Sequence, residues 1–79
     1  MLKRKNRTTN LNHTRQEIGR QLNELMNQNN LKLNELATIT SWSALYLQTV
    51  TEGRTTPNIG ELNYIASIFD RKLKIEFVE

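Results

Sequence analysis

With 79 residues, 11 Lys and Arg against 8 Asp and Glu, and a net charge of +3, the chain has room for one small domain and one modest core. The lack of cysteine excludes a disulfide framework and a thiolate metal site, and His13 alone cannot build a histidine site. The first residues are basic but no apolar run follows them, which excludes a signal peptide and a membrane span and makes a soluble, cytoplasmic protein the expectation.

The charge is unevenly placed. Residues 1 to 15 hold Lys3, Arg4, Lys5, Arg7 and Arg15 with no acid, whereas residues 16 to 79 hold six bases against eight acids. Residues 1–13, which show no periodicity, therefore read as a basic flexible arm on a mildly acidic body. Two roles stay open for it: sequence-independent contact with phosphates through Lys3, Arg4, Lys5 and Arg7, or a solvated terminus.

The body, residues 14–70, reads as helices. Thr14-Arg15-Gln16-Glu17 has the form of a capping box and predicts a helix starting there. Ile18, Leu22, Leu25 and Met26 continue it as one apolar stripe, and Asn29-Asn30 offers a left-handed stop. Gly19 weakens this helix slightly and admits close packing near its start. Leu33, Leu36, Ala37 and Thr40 predict a second, short helix ending near Thr40-Ser41, with Ile39 on its flank. Ser43 is the N-cap of a third, with Leu47 and Val50 facing inward and Gly53 closing it. That helix is about nine residues long, too short to persist without packing. Asn58-Ile59-Gly60-Glu61 repeats the cap logic after Pro57, and Ile59, Leu62, Ile65, Ala66 and Phe69 mark a fourth. Trp42 reads as a packing residue between helices, and Tyr64 and Phe69 as core or rim of the fourth helix.

Beyond Asp70-Arg71 the period changes to 2. Leu73, Ile75 and Phe77 alternate with Lys74 and Glu76, the pattern of a half-buried strand in residues 71–79. Nothing else in the chain offers this strand a partner. Paired antiparallel with its own copy about Ile75, it sets Lys74 against Glu76 and Leu73 against Phe77, so unlike charges meet on one face and apolar groups on the other. The pattern therefore points to a homodimer, and the alternative is a strand that pads its own bundle. The expected fold is mainly α: a compact four-helix bundle containing a helix-turn-helix, with a C-terminal β-strand pairing across a dimer.

Leu36-Ala37, the small residue Ser41 at the turn, Trp42, Ser43, Leu47, Val50, Gly53, Pro57 and the Ile59, Leu62, Ile65, Ala66 series together resemble the Cro and lambda-repressor type of helix-turn-helix domain, found in small bacterial and phage regulators. The resemblance spans residues 18–69. It implies that residues 43–52 form the recognition helix, with Ser43, Ala44, Leu45, Gln48 and Thr49 facing the major groove of double-stranded DNA. Gln48 would then pair with adenine, and Ala44 or Leu45 would touch a thymine methyl. Lys32, Asn34, Arg54 and Thr55 would hold phosphates. The ending Arg71 to Val78 also looks like the strand that closes some members, including certain antitoxins. The implied role is a dimeric repressor, or an antitoxin-like autorepressor with a toxin as a second partner.

Three departures qualify the resemblance. Leu33 stands where members commonly carry a polar side chain, Ala44 and Thr49 stand where they carry bases, and Thr51 stands where they carry glutamate. Leu45 and Tyr46, with Leu33 nearby, would suit a protein partner, so the rival function is a protein-interaction module built on the same helices. No constellation of residues supports catalysis, and no cofactor is implied.

Overall fold

The computed structural model describes residues 7–77, with side chains from residue 11 onward. Four helices follow one another: α1 (Arg7–Gln28), α2 (Leu33–Thr40), α3 (Ala44–Thr51) and α4 (Ile59–Ile68). Helix α3 lies at the centre, packed against both α1 and α2. Its Leu47 and Val50 are fully buried together with Leu36 of α2, and Leu22 and Met26 of α1 and Ile65 and Phe69 of the α4 segment complete the core. Each such side chain contributes about 1.5–3 kcal/mol by leaving water, which holds two eight-residue helices that would not persist alone.

The first helix departs from expectation at its start. It begins at Arg7, not Thr14, so residues 7–13 of the expected flexible arm are helical. The physical reason is cooperativity: once Ile18 to Met26 anchor a helix, adding turns at its end needs no new nucleus, and Leu11 continues the stripe seven residues before Ile18. Glu17 accordingly serves the helix surface, not a capping box. Its carboxylate accepts from the Arg20 guanidinium and from Gln21 Nε2 at 3.1 Å, and Arg20 also reaches Glu24 at 2.5 Å. These bonds, that of Arg20 foremost, hold the Glu17 carboxyl at about 2, well below the usual range. Residues 1–6, with Lys3, Arg4 and Lys5, lie outside the described residues.

Gly19 is where α1 and α3 nearly touch. A Cβ at this position would lie 2.7 Å from the carbonyl oxygens of both Val50 and Thr51. Asn23, one turn further on, donates to the same Thr51 carbonyl at 3.4 Å, so α1 satisfies an end of α3 that has no helical partner.

The corners are built by caps. At the ends of α1, α3 and α4 the chain reverses through a left-handed residue, Asn30, Gly53 and Asp70 respectively. In each case the amide of the next residue donates to a carbonyl in the last turn of the helix: Leu31 to Met26 at 2.8 Å, Arg54 to Thr49 at 2.9 Å and Arg71 to Ala66 at 2.8 Å. Helix α2 ends at Ser41, also left-handed, where the buried Thr40 hydroxyl donates to the Leu36 carbonyl and accepts from the Trp42 amide. Ser43 caps α3 by accepting from the Tyr46 amide at 3.0 Å. Asn58 and Glu61 form the capping box of α4, as the sequence predicts.

The predicted strand is not present. Residues 71–77 follow α4 in neither helix nor ladder, with Leu73 half-buried, Ile75 largely exposed and Phe77 fully exposed. Lys74 and Glu76 pair with each other at 3.5 Å within the chain. The reason is the one the sequence contains: a strand needs a neighbour to take its backbone groups, and among the described residues no other segment is extended beside it. Residues 78 and 79 lie outside the described residues.

Candidate nucleic-acid interface

The outward face of α3 follows from its inward one. With Leu47 and Val50 buried, helical geometry turns Ala44, Leu45, Gln48 and Glu52 to solvent, and all four are exposed. Ser43 is exposed beside them, although its hydroxyl is occupied as the cap. Thr49 differs from expectation. It is half-buried, and its hydroxyl donates to the Tyr46 carbonyl at 2.7 Å, a bond that any base contact would have to share or replace.

Of the residues expected to hold phosphates, Lys32 is the N-cap of α2, where its amide donates to Glu35 at 2.8 Å, and Asn34 is exposed in the first turn. Arg54 and Thr55 follow the end of α3, Arg54 exposed and Thr55 half-buried. Arg7 is the first residue of α1. Between residues 16 and 70 the chain carries only Arg20, Lys32 and Arg54 against six acids, a net charge of −3. Arg20 is held between Glu17 and Glu24, and Arg54 pairs with Glu52 at 3.1 Å. Of these three cations Lys32 alone makes no ion pair among the described residues.

The role of Glu52 was not legible from composition. Its second carboxylate oxygen accepts from Gln48 Nε2 at 3.0 Å, so one acid holds both the expected base-reading amide and an expected phosphate-binding guanidinium. The spacing of four between Gln48 and Glu52 is the available signal, since residues four apart on a helix are neighbours.

The aromatic residues act as supports. Trp42 packs edge-on against Tyr46 at 5.7 Å and against Tyr64 at 5.5 Å, joining the turn, α3 and α4. The Tyr46 hydroxyl donates to Glu61 at 3.0 Å, and burial first, then this bond, pushes its pKa above the usual tyrosine range, so the fold keeps it as a neutral donor. Arg15 Nε donates to the Thr56 hydroxyl at 2.8 Å, tying the loop after α3 back to α1. The apolar patch expected from Leu45, Tyr46 and Leu33 is reduced, because Tyr46 and Leu33 pack against the core. Leu45 and Ile39 are 68% and 50% exposed.

Among the described residues no group of three His, Asp or Glu could hold a metal ion, and no helix is long and apolar enough to cross a membrane. The class defined here is a small, mainly helical domain, with four helices among the described residues. No family model, curated protein or solved structure matches the chain.

Proposed function

We propose that the chain is a sequence-specific, double-stranded DNA-binding regulator of the Cro and lambda-repressor type, with α2 and α3 as its helix-turn-helix and residues 43–52 placed in the major groove. The observation that carries this reading is the division of α3 itself: Leu47 and Val50 fully buried, Ala44, Leu45 and Gln48 exposed, and a capped turn of three residues joining it to α2. A helix held only by its inner face is free to enter a groove with its outer one. Ala44 and Leu45 suit thymine methyl groups, Gln48 suits adenine, and no arginine on this face suits guanine, so the expected operator is rich in A·T pairs.

Selection of bound duplexes from a random pool tests this reading. A preferred A·T-rich sequence is the expected result, and Gln48→Ala should lower the preference at one position by about 1–3 kcal/mol. A pool that shows no enrichment, or a preference unchanged by Gln48→Ala, overturns it.

The dimer belongs to the same proposal. Two recognition helices would enter successive major grooves about 34 Å apart on a pseudo-palindromic operator. Residues 71–77, exposed at Ile75 and Phe77, would become strands only by pairing with the second copy, with Leu73, Lys74, Ile75, Glu76 and Phe77 at the interface. Ile75→Lys should leave helical content unchanged and yield a monomer by analytical ultracentrifugation, and a persistent dimer rejects this interface. Such a protein acts as a repressor, or as an antitoxin-like autorepressor that also binds a toxin.

The rival reading, a protein-interaction module, is favoured by the net charge of −3 on residues 16–70 and by exposed Leu45 and Ile39. It differs in expecting no salt-sensitive binding to any duplex.

A further inference from the structure

Both oxygens of the Glu52 carboxylate are engaged on the exposed row of α3. Oε2 accepts from Gln48 Nε2 at 3.0 Å and Oε1 forms an ion pair with Arg54 Nε at 3.1 Å. Ala44, Gln48 and Glu52 stand four residues apart, so the acid lies in line with the groove-facing residues, one turn below the amide. A carboxylate only accepts hydrogen bonds. The Gln48 amide therefore cannot turn over without setting its own carbonyl oxygen against a negative charge. One N–H of Gln48 is taken up by Glu52, and the second N–H and the carbonyl oxygen remain. Those two groups are the donor and acceptor that the N7 and N6 positions of adenine require. An amide with both N–H groups free can also donate to N7 and O6 of guanine, so engaging one N–H at Glu52 removes that alternative partner. The same carboxylate neutralises Arg54 and adds negative charge where DNA phosphates approach, which weakens binding to every sequence alike.

We infer that Glu52 is a positioning residue for DNA recognition: it fixes the Gln48 amide in its adenine-reading orientation while holding Arg54 away from phosphate, so that discrimination rises as affinity falls. The inference rests on the DNA-binding reading above. It goes beyond that reading because it assigns opposite effects on affinity and selectivity to a residue that need not touch a base.

The test titrates the full chain, Glu52→Ala and Glu52→Gln with the duplex that selection returns for the wild type, and with that duplex changed one base pair at a time. Thermal unfolding checks that each variant is folded. Glu52→Ala should bind the selected duplex about threefold more tightly and steepen the dependence of log K on log salt by about 0.9 for each Arg54 released. It should lose about fivefold of the discrimination at the position that Gln48→Ala also affects. Glu52→Gln should show the same gain in affinity with most of the discrimination kept, because its amide oxygen can still accept from Gln48 without the charge. Unchanged discrimination in Glu52→Ala overturns the inference, and so does a joint fall of affinity and discrimination, the mark of a merely structural role. A wild-type chain that selects no duplex overturns the DNA-binding reading itself and this inference with it, a failure distinct from the other two.

Discussion

Replacing Gly19 with alanine is expected to lower the midpoint of thermal unfolding by about 10 °C. Helix propensity alone argues the other way, since alanine in a helix interior is favoured over glycine by about 1 kcal/mol. The added methyl carbon, however, would stand 2.7 Å from two backbone carbonyl oxygens, those of Val50 and Thr51. Neither can swing aside as a side chain would, because both belong to the last turn of α3, whose Val50 is fully buried. Overpacking costs about 1–3 kcal/mol and occasionally more; two immovable backbone contacts put this case near about 3 kcal/mol, so the net loss is about 2 kcal/mol, and a domain of this size loses about 4–8 °C for each. Gln21→Ala, on the exposed side of the same helix, is the control and should shift the midpoint little. An unchanged or raised midpoint for Gly19→Ala would show that α1 and α3 are further apart than the structure places them.

Raising the salt concentration from 50 to 200 mM is expected to weaken duplex binding about a thousandfold, and most of that dependence should vanish when residues 1–6 are removed. Six or more phosphate contacts are needed for so steep a fall. Residues 16–70 cannot supply them, since they carry a net −3 and only Lys32 and Arg54 among their cations were expected near DNA. Lys3, Arg4 and Lys5 of two subunits can. The deletion should stop at residue 6, because removing residues 1–13 would also take the first turns of α1, which begins at Arg7. Electrophoretic mobility or anisotropy titrations across a salt series give the slope. A slope unaltered by the deletion would return residues 1–6 to the role of a solvated terminus.

The contrast between these two expectations reflects what the chain makes legible. The inward positions were readable because burial imposes a period: Leu22, Met26, Leu36, Leu47, Val50, Ile65 and Phe69 all fall on predicted stripes and all are buried. The caps at Ser43, Gly53 and Asn58 were readable because few residues satisfy a helix end. The start of α1 was not, since Thr14-Glu17 has the form of a cap and nothing local shows that a stable helix will extend past it. The C-terminal segment forms no strand, because alternation records only a capacity to pair and no segment among the described residues lies extended beside it. At the candidate site the sequence identified the exposed row of α3 but not the occupied state of its polar groups. Thr49 is turned to its own backbone, and Gln48 and Arg54 are both held by Glu52. Such bonds depend on which of several rotamers a surface side chain adopts, and residue type alone does not select one.

The four corners of the fold carry a further consequence. Asn30, Ser41, Gly53 and Asp70 all hold the backbone in the left-handed region, yet only one of them is glycine. In relatives of this chain, positions 30, 41 and 70 should therefore drift within a narrow alphabet of glycine, asparagine, aspartate and serine, although each is a solvent-facing loop residue that composition would class as free to vary. A β-branched residue there would strain the backbone through its own Cβ, whatever surrounds the side chain. The strictest constraints on this small protein thus extend to its surface, at corners where the handedness of the backbone, and not the company of a side chain, decides which residues can stand.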